Sequence, residues 1–252
     1  MDTQQMSSPT APEISSFVTR ATNVFTAPSD LFTEVASAPA QRSSWLMPYI
    51  ITMLVSALFT VTLFTNPTFR DQMFEQQRAE FQKKVEKGEM TQEQSERAQE
   101  FMQSSSMVMI FGVAGSVVVT SIMVFGAALV LWLVLKTMLK TNHKYGKALE
   151  LYGLASLIGV LGVIVTIILI HLFDTIHASP GGVLLVLGSY NHDSFVHKLL
   201  ASITVFGLWQ TTVIGIGLAK LSGKPTADGM KISFVLWVLL VLIFAATGRG
   251  IL

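Results

Sequence analysis

The sequence predicts an all-α, polytopic membrane protein with five transmembrane helices and an extramembrane helical hairpin between the first two. Each of five long runs without Asp, Glu, Lys or Arg approaches or exceeds the roughly 20 residues that an α-helix needs to cross a bilayer. The runs lack the period-2 alternation of barrel strands, so helices remain as the structure that satisfies the backbone in lipid. The 252 residues are 51% hydrophobic and only 13% charged, so the chain is far more apolar than an average soluble domain. The charge-free runs are 43–69, 101–135, 151–170, 199–219 and 232–248.

Composition also excludes several classes of function. The net charge of +1 argues against a nucleic-acid partner, which would require a concentrated basic face. The absence of cysteine removes disulfides, thiol catalysis and cysteine-based metal sites. The chain opens without a basic segment followed by an apolar one, so we expect no cleavable signal peptide and a first span that is itself the insertion signal.

The residues before the first span divide into two parts. Residues 1–12 are rich in Ser, Thr, Pro and Gln, and we expect a disordered tail there. Residues 13–42 carry a broken apolar pattern, in which Pro28 restarts a short helix and Pro39 ends it. These pieces are too short to span a bilayer, so we expect cytoplasmic interfacial helices. They either lie on the membrane surface or pack against the cytoplasmic ends of the bundle, and the pattern does not separate these alternatives.

The insert at 67–106 has the pattern of a helical hairpin. An apolar stripe at i, i+4 spacing runs along its first arm until Gly88, and Thr91 with Gln94 forms a capping box that starts the second arm. We expect span one to continue as a helix to about residue 87, the second arm to run into span two, and the pair to project from the membrane. The hairpin is either a docking surface for a partner or a solvated extension, in which the apolar stripe only packs the two arms against each other. The stripe consists of Phe69, Met73, Gln77, Phe81 and Val85.

The predicted transmembrane domain covers residues 43–248, and its loop charges predict its orientation. Three lysines lie between spans four and five, and four precede or enter span three, whereas the loop 174–197 has no Lys or Arg. The positive-inside rule places the lysine-bearing loops and the N-terminus in the cytoplasm and the C-terminus outside. The first loop conflicts on a raw count, because residues 70–100 hold six Lys or Arg beside eight acidic residues. The predicted spans are about 45–66, 107–136, 148–173, 198–220 and 228–248.

The spans contain very little chemistry. No Asp, Glu, Lys or Arg lies at mid-bilayer depth, while Glu150 lies at the cytoplasmic mouth of span three. Ion- or proton-coupled transport normally requires such groups, so this class is disfavoured, and we expect a protein that is not an enzyme. Polar side chains within the spans, Gln210 above all, keep open a passive pathway for lipid or small solutes.

The outer loop contains the only clustered imidazoles and carboxylates. These groups are good ligands for a divalent metal, but their spacing matches no compact zinc motif. We therefore expect no metal and no cofactor, and histidines that hydrogen-bond to headgroups or water. The apolar segment 181–188 is too short to cross and is expected to lie on the end of the bundle or to dip into the outer leaflet. The candidate ligands are His171, Asp174, His177, His192, Asp193 and His197.

Small residues repeat every fourth position along span four, as Gly207, Thr211, Gly215 and Ala219. Such stripes let two helix backbones approach closely. The stripe predicts packing within the bundle or, alternatively, an interface between copies of the chain.

Three segments carry a family resemblance. One is Phe25-Thr26-Ala27-Pro28 with Phe32, Val35, Pro39, Trp45 and Pro48; the others are Lys144-Tyr145-Gly146-Lys147-Ala148 with Leu151, Tyr152, Ala155 and Ser156, and Gly217-Leu218-Ala219-Lys220-Leu221 with Gly223. Together they resemble the Yip-domain family of membrane proteins, bacterial branch, over about residues 25–248.

The resemblance implies five spans and a cytoplasmic N-terminus. Eukaryotic members bind Rab-type GTPases in vesicle traffic, but this chain has no counterpart of their N-terminal Asp-Leu-Tyr-Gly type motif. For bacterial members the family implies architecture without a settled activity.

We therefore expect a non-enzymatic membrane adaptor of the Yip type in the lipid bilayer, binding another membrane protein and possibly forming homo-oligomers, with a role in transport or trafficking. The alternative is a passive lipid or solute pathway, or an accessory subunit of a transporter. Lys147 and Glu150 are spaced to pair at the membrane surface. The residues expected to carry interaction or packing are Trp45, Pro48, Tyr145, Lys147, Glu150, Tyr152, Gly207, Thr211 and Gly215.

Overall fold

The computed structural model describes residues 14–103 and 105–247, and this part of the chain is helical, with one isolated β-bridge and no strand. Within these two described ranges, five helices are long and apolar enough to cross a membrane, which confirms the predicted all-α polytopic fold. The expected tail at 1–12 lies outside the described residues. The helices are α1 Phe17–Thr26, α2 Pro28–Ser37, α3 Ser43–Thr65, α4 Pro67–Glu86, α5 Gln92–Gln103, α6 Ser105–Thr137, α7 Tyr145–Phe173, α8 Phe195–Ser202, α9 Val205–Ser222 and α10 Thr226–Thr247, with a 3-10 segment at Gly182–Ser189.

Helix α7 is the centre of the bundle. It packs against α3, α6 and α9, while α10 packs mainly on α9 and also touches α8. Glycines permit the closest crossings, because a Cβ on Gly153 would lie 2.8 Å from the Cα of Trp45, and one on Gly162 would lie 2.9 Å from the Cβ of Phe206. Half of the residues in the most apolar part of α7 are buried in the protein, against 6% for α3, whose residues are mostly half-buried.

Helices α1 and α2 pack on the end of the bundle where α3, α7 and α10 begin; we call α1 and α2 the platform, and this end the platform end. Their apolar side chains enter the main core cluster beside residues of α7 and α9 such as Leu151 and Leu218. Of the two arrangements left open by the sequence, the structure therefore shows packing against the bundle. The platform residues in this core are Val24, Leu31, Phe32 and Val35.

The hairpin begins with a break that differs from the expected continuous helix. Helix α3 ends at Thr65, and Asn66 caps α4, its side chain accepting a hydrogen bond from the Thr68 amide at 2.9 Å. Pro67 occupies the first turn of α4, where its missing N–H costs nothing, and it disfavours helical backbone at the residue before it. The expectation that span one runs on to residue 87 is therefore wrong.

The turn between the two arms agrees with the sequence. Gly88 has a φ of +72°, the left-handed conformation that ends a helix. The Thr91 amide donates to Oε1 of Gln94 at 2.9 Å, and the Gln94 amide donates to Oγ1 of Thr91 at 3.2 Å, which confirms the capping box. Continuity between α5 and α6 depends on residue 104, outside the described residues.

The hairpin does not stand free of the bundle. Phe69, at the start of α4, is fully buried against Ile170 and Ala178, at the end of α7 and in the loop that follows. The Gln72 side chain accepts from the Ile176 amide at 3.1 Å and donates to the Asp174 carbonyl at 3.0 Å. Part of the apolar stripe thus binds the outer loop of the same chain, rather than only the second arm.

The fourth apolar run is interrupted. Helix α8 ends at Ser202, and α9 begins at Val205 with the Thr204 hydroxyl accepting from the Gly207 amide at 3.0 Å. The two residues between are extended and pair with the start of the 3-10 segment, since Thr204 forms a β-bridge with Gly181 and the Gly182 amide donates to the Ile203 carbonyl at 2.9 Å. The crossing part is therefore Val205–Ser222, shorter than the predicted 198–220.

Candidate functional site

Four charged side chains meet in the interior at the platform end: Arg20, Glu34, Lys147 and Glu150, here called the charge cluster. Nη2 of Arg20 lies 2.7 Å from Oε1 of Glu34, and its Nη1 lies 3.3 Å from Oε1 of Glu150. Nζ of Lys147 lies 2.8 Å from Oε2 of Glu150. The Arg20 and Glu150 side chains are 1% and 0% exposed, so the pairs are screened from water.

The four members of the charge cluster come from three helices. Arg20 lies on α1 and Glu34 on α2, while Lys147 and Glu150 share one face of the first turns of α7 at i, i+3 spacing. Nζ of Lys147 also donates to the Val35 carbonyl at 2.5 Å, at the end of α2. The cluster therefore ties both platform helices to the central helix of the bundle.

Neutral donors and acceptors complete the cluster. Nη1 of Arg20 donates to Oγ of Ser44 at 2.8 Å, in the first turn of α3, and the Gln41 amide donates to Oε1 of Glu150 at 2.7 Å. In the described residues no buried side-chain nitrogen or oxygen lacks a hydrogen-bond partner. The charges balance, two positive and two negative, as a desolvated site requires.

The electrostatics of Glu34 follow from the same contacts. Burial by itself would raise the pKa of this carboxyl, but hydrogen bonds from the Arg20 side chain and the Ser15 amide outweigh burial and lower the pKa from its ordinary value of 4.5. Glu34 thus remains ionised and paired at neutral pH.

The sequence predicted only half of the cluster. The spacing of Lys147 and Glu150 indicated their pairing, whereas Arg20 and Glu34 were missed. A signal for Arg20 was present: it is the only charged residue between Glu13 and Asp30, and it lies four residues before Val24 on the apolar face of α1.

The predicted aromatic residues at this end pack helices together. The Tyr145 hydroxyl donates to the Phe125 carbonyl at 2.8 Å, and the rings of Trp45 and Phe125 are 6.2 Å apart. Tyr152 hydrogen-bonds to the side chain of Gln210, which gives that half-buried amide a partner. Pro48 is buried inside α3.

The small-residue stripe of α9 faces α10 of the same chain. A Cβ on Gly215 would lie 2.6 Å from Oγ of Ser233, and one on Gly229 would lie 2.2 Å from the Gly215 carbonyl oxygen. A Cβ on Gly207 would lie 3.7 Å from Nε1 of Trp237, also on α10. Thr211 is buried and donates to the Gly207 carbonyl at 2.8 Å. The stripe thus has an intramolecular partner.

The outer histidines and aspartates are dispersed over separate contacts. Nδ1 of His171 lies 2.7 Å from the Ile167 carbonyl oxygen, and Nε2 of His177 lies 2.9 Å from Nε2 of Gln76. Asp193 pairs with Lys83 of α4, and Nδ1 of His197 accepts from the Asn191 amide at 2.8 Å. Among the described residues, no three such groups converge to hold a metal ion.

Hydroxyl groups within the spans are engaged locally. Those of Thr166 and Thr212 donate to carbonyls four residues earlier in their own helices, at 2.9 Å each. The Ser121 hydroxyl donates to Val117 and also contacts the Tyr49 hydroxyl at 2.8 Å.

Comparison with known proteins gives one match. The family model described as the Yip1 domain matches residues 22–247, a range that contains the five spans, the hairpin and three members of the charge cluster. Arg20 lies just before the matched range. No curated protein and no solved structure matches the chain significantly.

Proposed function

The chain belongs to the Yip1 domain family of membrane proteins, and from that premise we propose that it is a non-enzymatic adaptor that binds another membrane protein through its platform. One observation carries this proposal: a buried, charge-balanced cluster holds two short helices rigidly against the bundle. A helix pair too small to fold alone gains a fixed surface in this way, and a fixed surface binds a partner without the cost of ordering it first.

The outward side of the platform has a distinctive chemistry. Its charges are turned inward into the cluster, apart from Asp30, and small hydroxyl side chains dominate what remains exposed. Val18 is 71% exposed and is the largest apolar group of α1 on this side. Because this surface carries little charge, the free-energy cost of removing water from it is small, and it fits the face of another protein. The exposed platform hydroxyls belong to Thr19, Thr22, Thr26, Ser29, Thr33 and Ser37.

The interior supports an adaptor over a pathway. A passive route for lipid or solute requires polar groups that are free to meet the permeant, whereas the span hydroxyls at Thr166, Ser121 and Thr212 are engaged within the protein. The buried charges lie at one end and neutralise each other. Flux assays on liposomes containing the purified protein would test the alternative, and flux above that of empty vesicles would favour it.

We place the platform end on the cytoplasmic side of a bacterial inner membrane. The exposed lysines at this end include Lys136, Lys140, Lys144, Lys224 and Lys231. A cytoplasmic platform would meet both membrane partners and soluble ones that reach the membrane surface.

Site-specific photocrosslinking in intact cells tests the proposal. A benzophenone amino acid replaces Val18 on the platform, and, as the matched control, Leu185, which is 83% exposed at the opposite end. We expect a discrete protein adduct from position 18 and none of the same mass from position 185. The adduct should disappear when Arg20→Met releases the platform and persist in Arg97→Met. Lipid adducts alone, or the same protein adduct at both positions, would contradict the proposal.

A further inference from the structure

A shallow, open cavity of about 330 Å³ lies at the platform end and shares no residue with the charge cluster. One wall comes from the chain just after α6, and the other from the first turns of α10 and the residue after the α9 cap at Gly223. The lining residues are Met138, Leu139, Lys224, Asp228, Lys231 and Ile232.

The cavity has a cationic part and an apolar part. The Lys224 side chain is exposed, and no ion pair engages it in the described part of the chain. Lys231 is 77% exposed, and its Nζ is 3.7 Å from a carboxylate oxygen of Asp228. Met138, 61% exposed, and Ile232 supply apolar surface to the lining. Two lysines against one aspartate leave the lining positively charged.

The depth of the cavity matches the headgroup region of a bilayer. The charge-free run of α6 ends at Lys136, two residues before Met138, and the charge-free run of α10 begins at Ile232. The two walls therefore lie where apolar helix gives way to charged loop, which is where lipid phosphates lie.

An apolar track leads from the cavity into the membrane. Val235, Leu239 and Leu242 follow Lys231 on α10 at spacings of four, four and three residues, so they share one helix face. Their exposed fractions are 59%, 53% and 44%, and α10 packs on α9 and α8 with other faces. A chain attached to a group held at Lys231 would lie along this face.

We propose that this cavity binds one anionic phospholipid of the leaflet on the platform side, with its phosphate between Lys224 and Lys231 and an acyl chain along the α10 track. Basic pockets between transmembrane helices at this depth are suited to anionic headgroups. The N-terminal end of α10, which begins at Thr226, contributes further positive potential through the helix dipole. The Asp228 carboxylate repels the phosphate and competes with it for Lys231, so Asp228 lowers the affinity for the lipid.

Native mass spectrometry of the purified full chain tests the assignment. The protein is released from nanodiscs containing equal amounts of phosphatidylglycerol and phosphatidylcholine, and retained lipid is counted. We expect one phosphatidylglycerol to be retained preferentially. Lys224→Gln with Lys231→Gln should lower its retention roughly fivefold for each lysine, whereas Asp228→Asn should raise it. No preference for phosphatidylglycerol in the unmodified chain would overturn the proposal.

A matched variant separates the cavity from general attraction to a basic face. Arg42 and Lys144 are exposed cations at the same end and line no part of the cavity. Arg42→Gln with Lys144→Gln removes the same charge and should leave retention unchanged. An equal loss in both double variants would mean non-specific attraction and would overturn the site. All these side chains are exposed, so the variants should fold, which an unchanged unfolding temperature would verify.

A further arm distinguishes a lipid from a free phosphate. Inorganic phosphate and glycerol phosphate, added at millimolar concentration, carry the same charged group without an acyl chain. The lipid assignment predicts that neither displaces the retained phosphatidylglycerol, and that Leu239→Ser weakens retention. Displacement by either soluble phosphate would overturn the lipid as occupant.

Discussion

Arg20 and Glu150 meet across 130 residues of sequence, with Nη1 of the arginine 3.3 Å from Oε1 of the glutamate, and both side chains are almost fully removed from water. The contact fixes the first described helix of the chain on the helix at the centre of the bundle. It also explains how a protein whose spans hold no charge at mid-depth still contains a buried ionic site: the site lies at the start of α7, where α1, α2 and the start of α3 exclude solvent.

Arg20→Met should destabilise the protein strongly. Removing one partner leaves Glu150 and Glu34 without their shared cation, and breaking a buried pair in this way costs about 3–5 kcal/mol. Arg97→Met is the matched control, because Arg97 pairs with Glu93 while 77% exposed, and such pairs contribute less than about 1 kcal/mol. Equilibrium unfolding in detergent micelles would measure both, and equal effects would contradict the role assigned to the cluster.

The crossing helices were predictable because a charge-free run is a local property of the sequence. The run from 151 to 170 corresponds to α7, and the capping box at Thr91 and Gln94 was recognisable for the same reason. The Asn66-Pro67 pair is also a local signal for the break, but it lies within a charge-free run, a pattern that favours one continuous helix.

The charge cluster was only half predictable, since Arg20 finds Glu150 through tertiary packing that no spacing rule encodes. The interruption at Thr204 has the same origin. Its backbone is extended because it pairs with the segment around Gly181, more than twenty residues earlier, and the apolar composition on both sides hides that pairing.

Gly215→Leu should weaken the pairing of α9 with α10. A Cβ at this position would lie 2.6 Å from Oγ of Ser233 and 2.9 Å from the Cα of Met230, so a larger side chain must push the helices apart. Overpacking of this kind costs about 1–3 kcal/mol. Gly115→Leu on α6 is the control, because no heavy atom lies within 4 Å of a Cβ there.

The same pair of variants tests whether the stripe joins copies of the chain. If the small-residue stripe packs only against α10 of the same chain, Gly215→Leu lowers the unfolding temperature without changing the oligomeric state measured by light scattering. A change in oligomeric state with unaltered stability would favour the interface between copies.

Single cysteines should report the orientation without background, because the native chain contains none. Val18→Cys on the platform and Leu185→Cys at the opposite end are both well exposed, at 71% and 83%. With a cytoplasmic platform, a membrane-impermeant maleimide added to intact cells should label position 185 and spare position 18 until the cells are lysed. Labelling of position 18 alone would reverse the orientation.

The contribution of Glu34 to stability should depend on pH in the acid range only. Burial raises the pKa of this carboxyl, but hydrogen bonds from Arg20 and Ser15 lower the pKa by more than burial raises it. The net result is a pKa below the ordinary value of 4.5. A group whose pKa is lower in the folded state stabilises that state above the unfolded pKa and loses this contribution as the pH falls through the folded pKa.

The difference in the free energy of unfolding between the native chain and Glu34→Gln should therefore be constant from pH 7 to about pH 5 and shrink below about pH 4.5. A difference that grew as the pH fell would mean that protonated, not ionised, Glu34 holds α2 to Arg20, and it would contradict the charged form of the cluster.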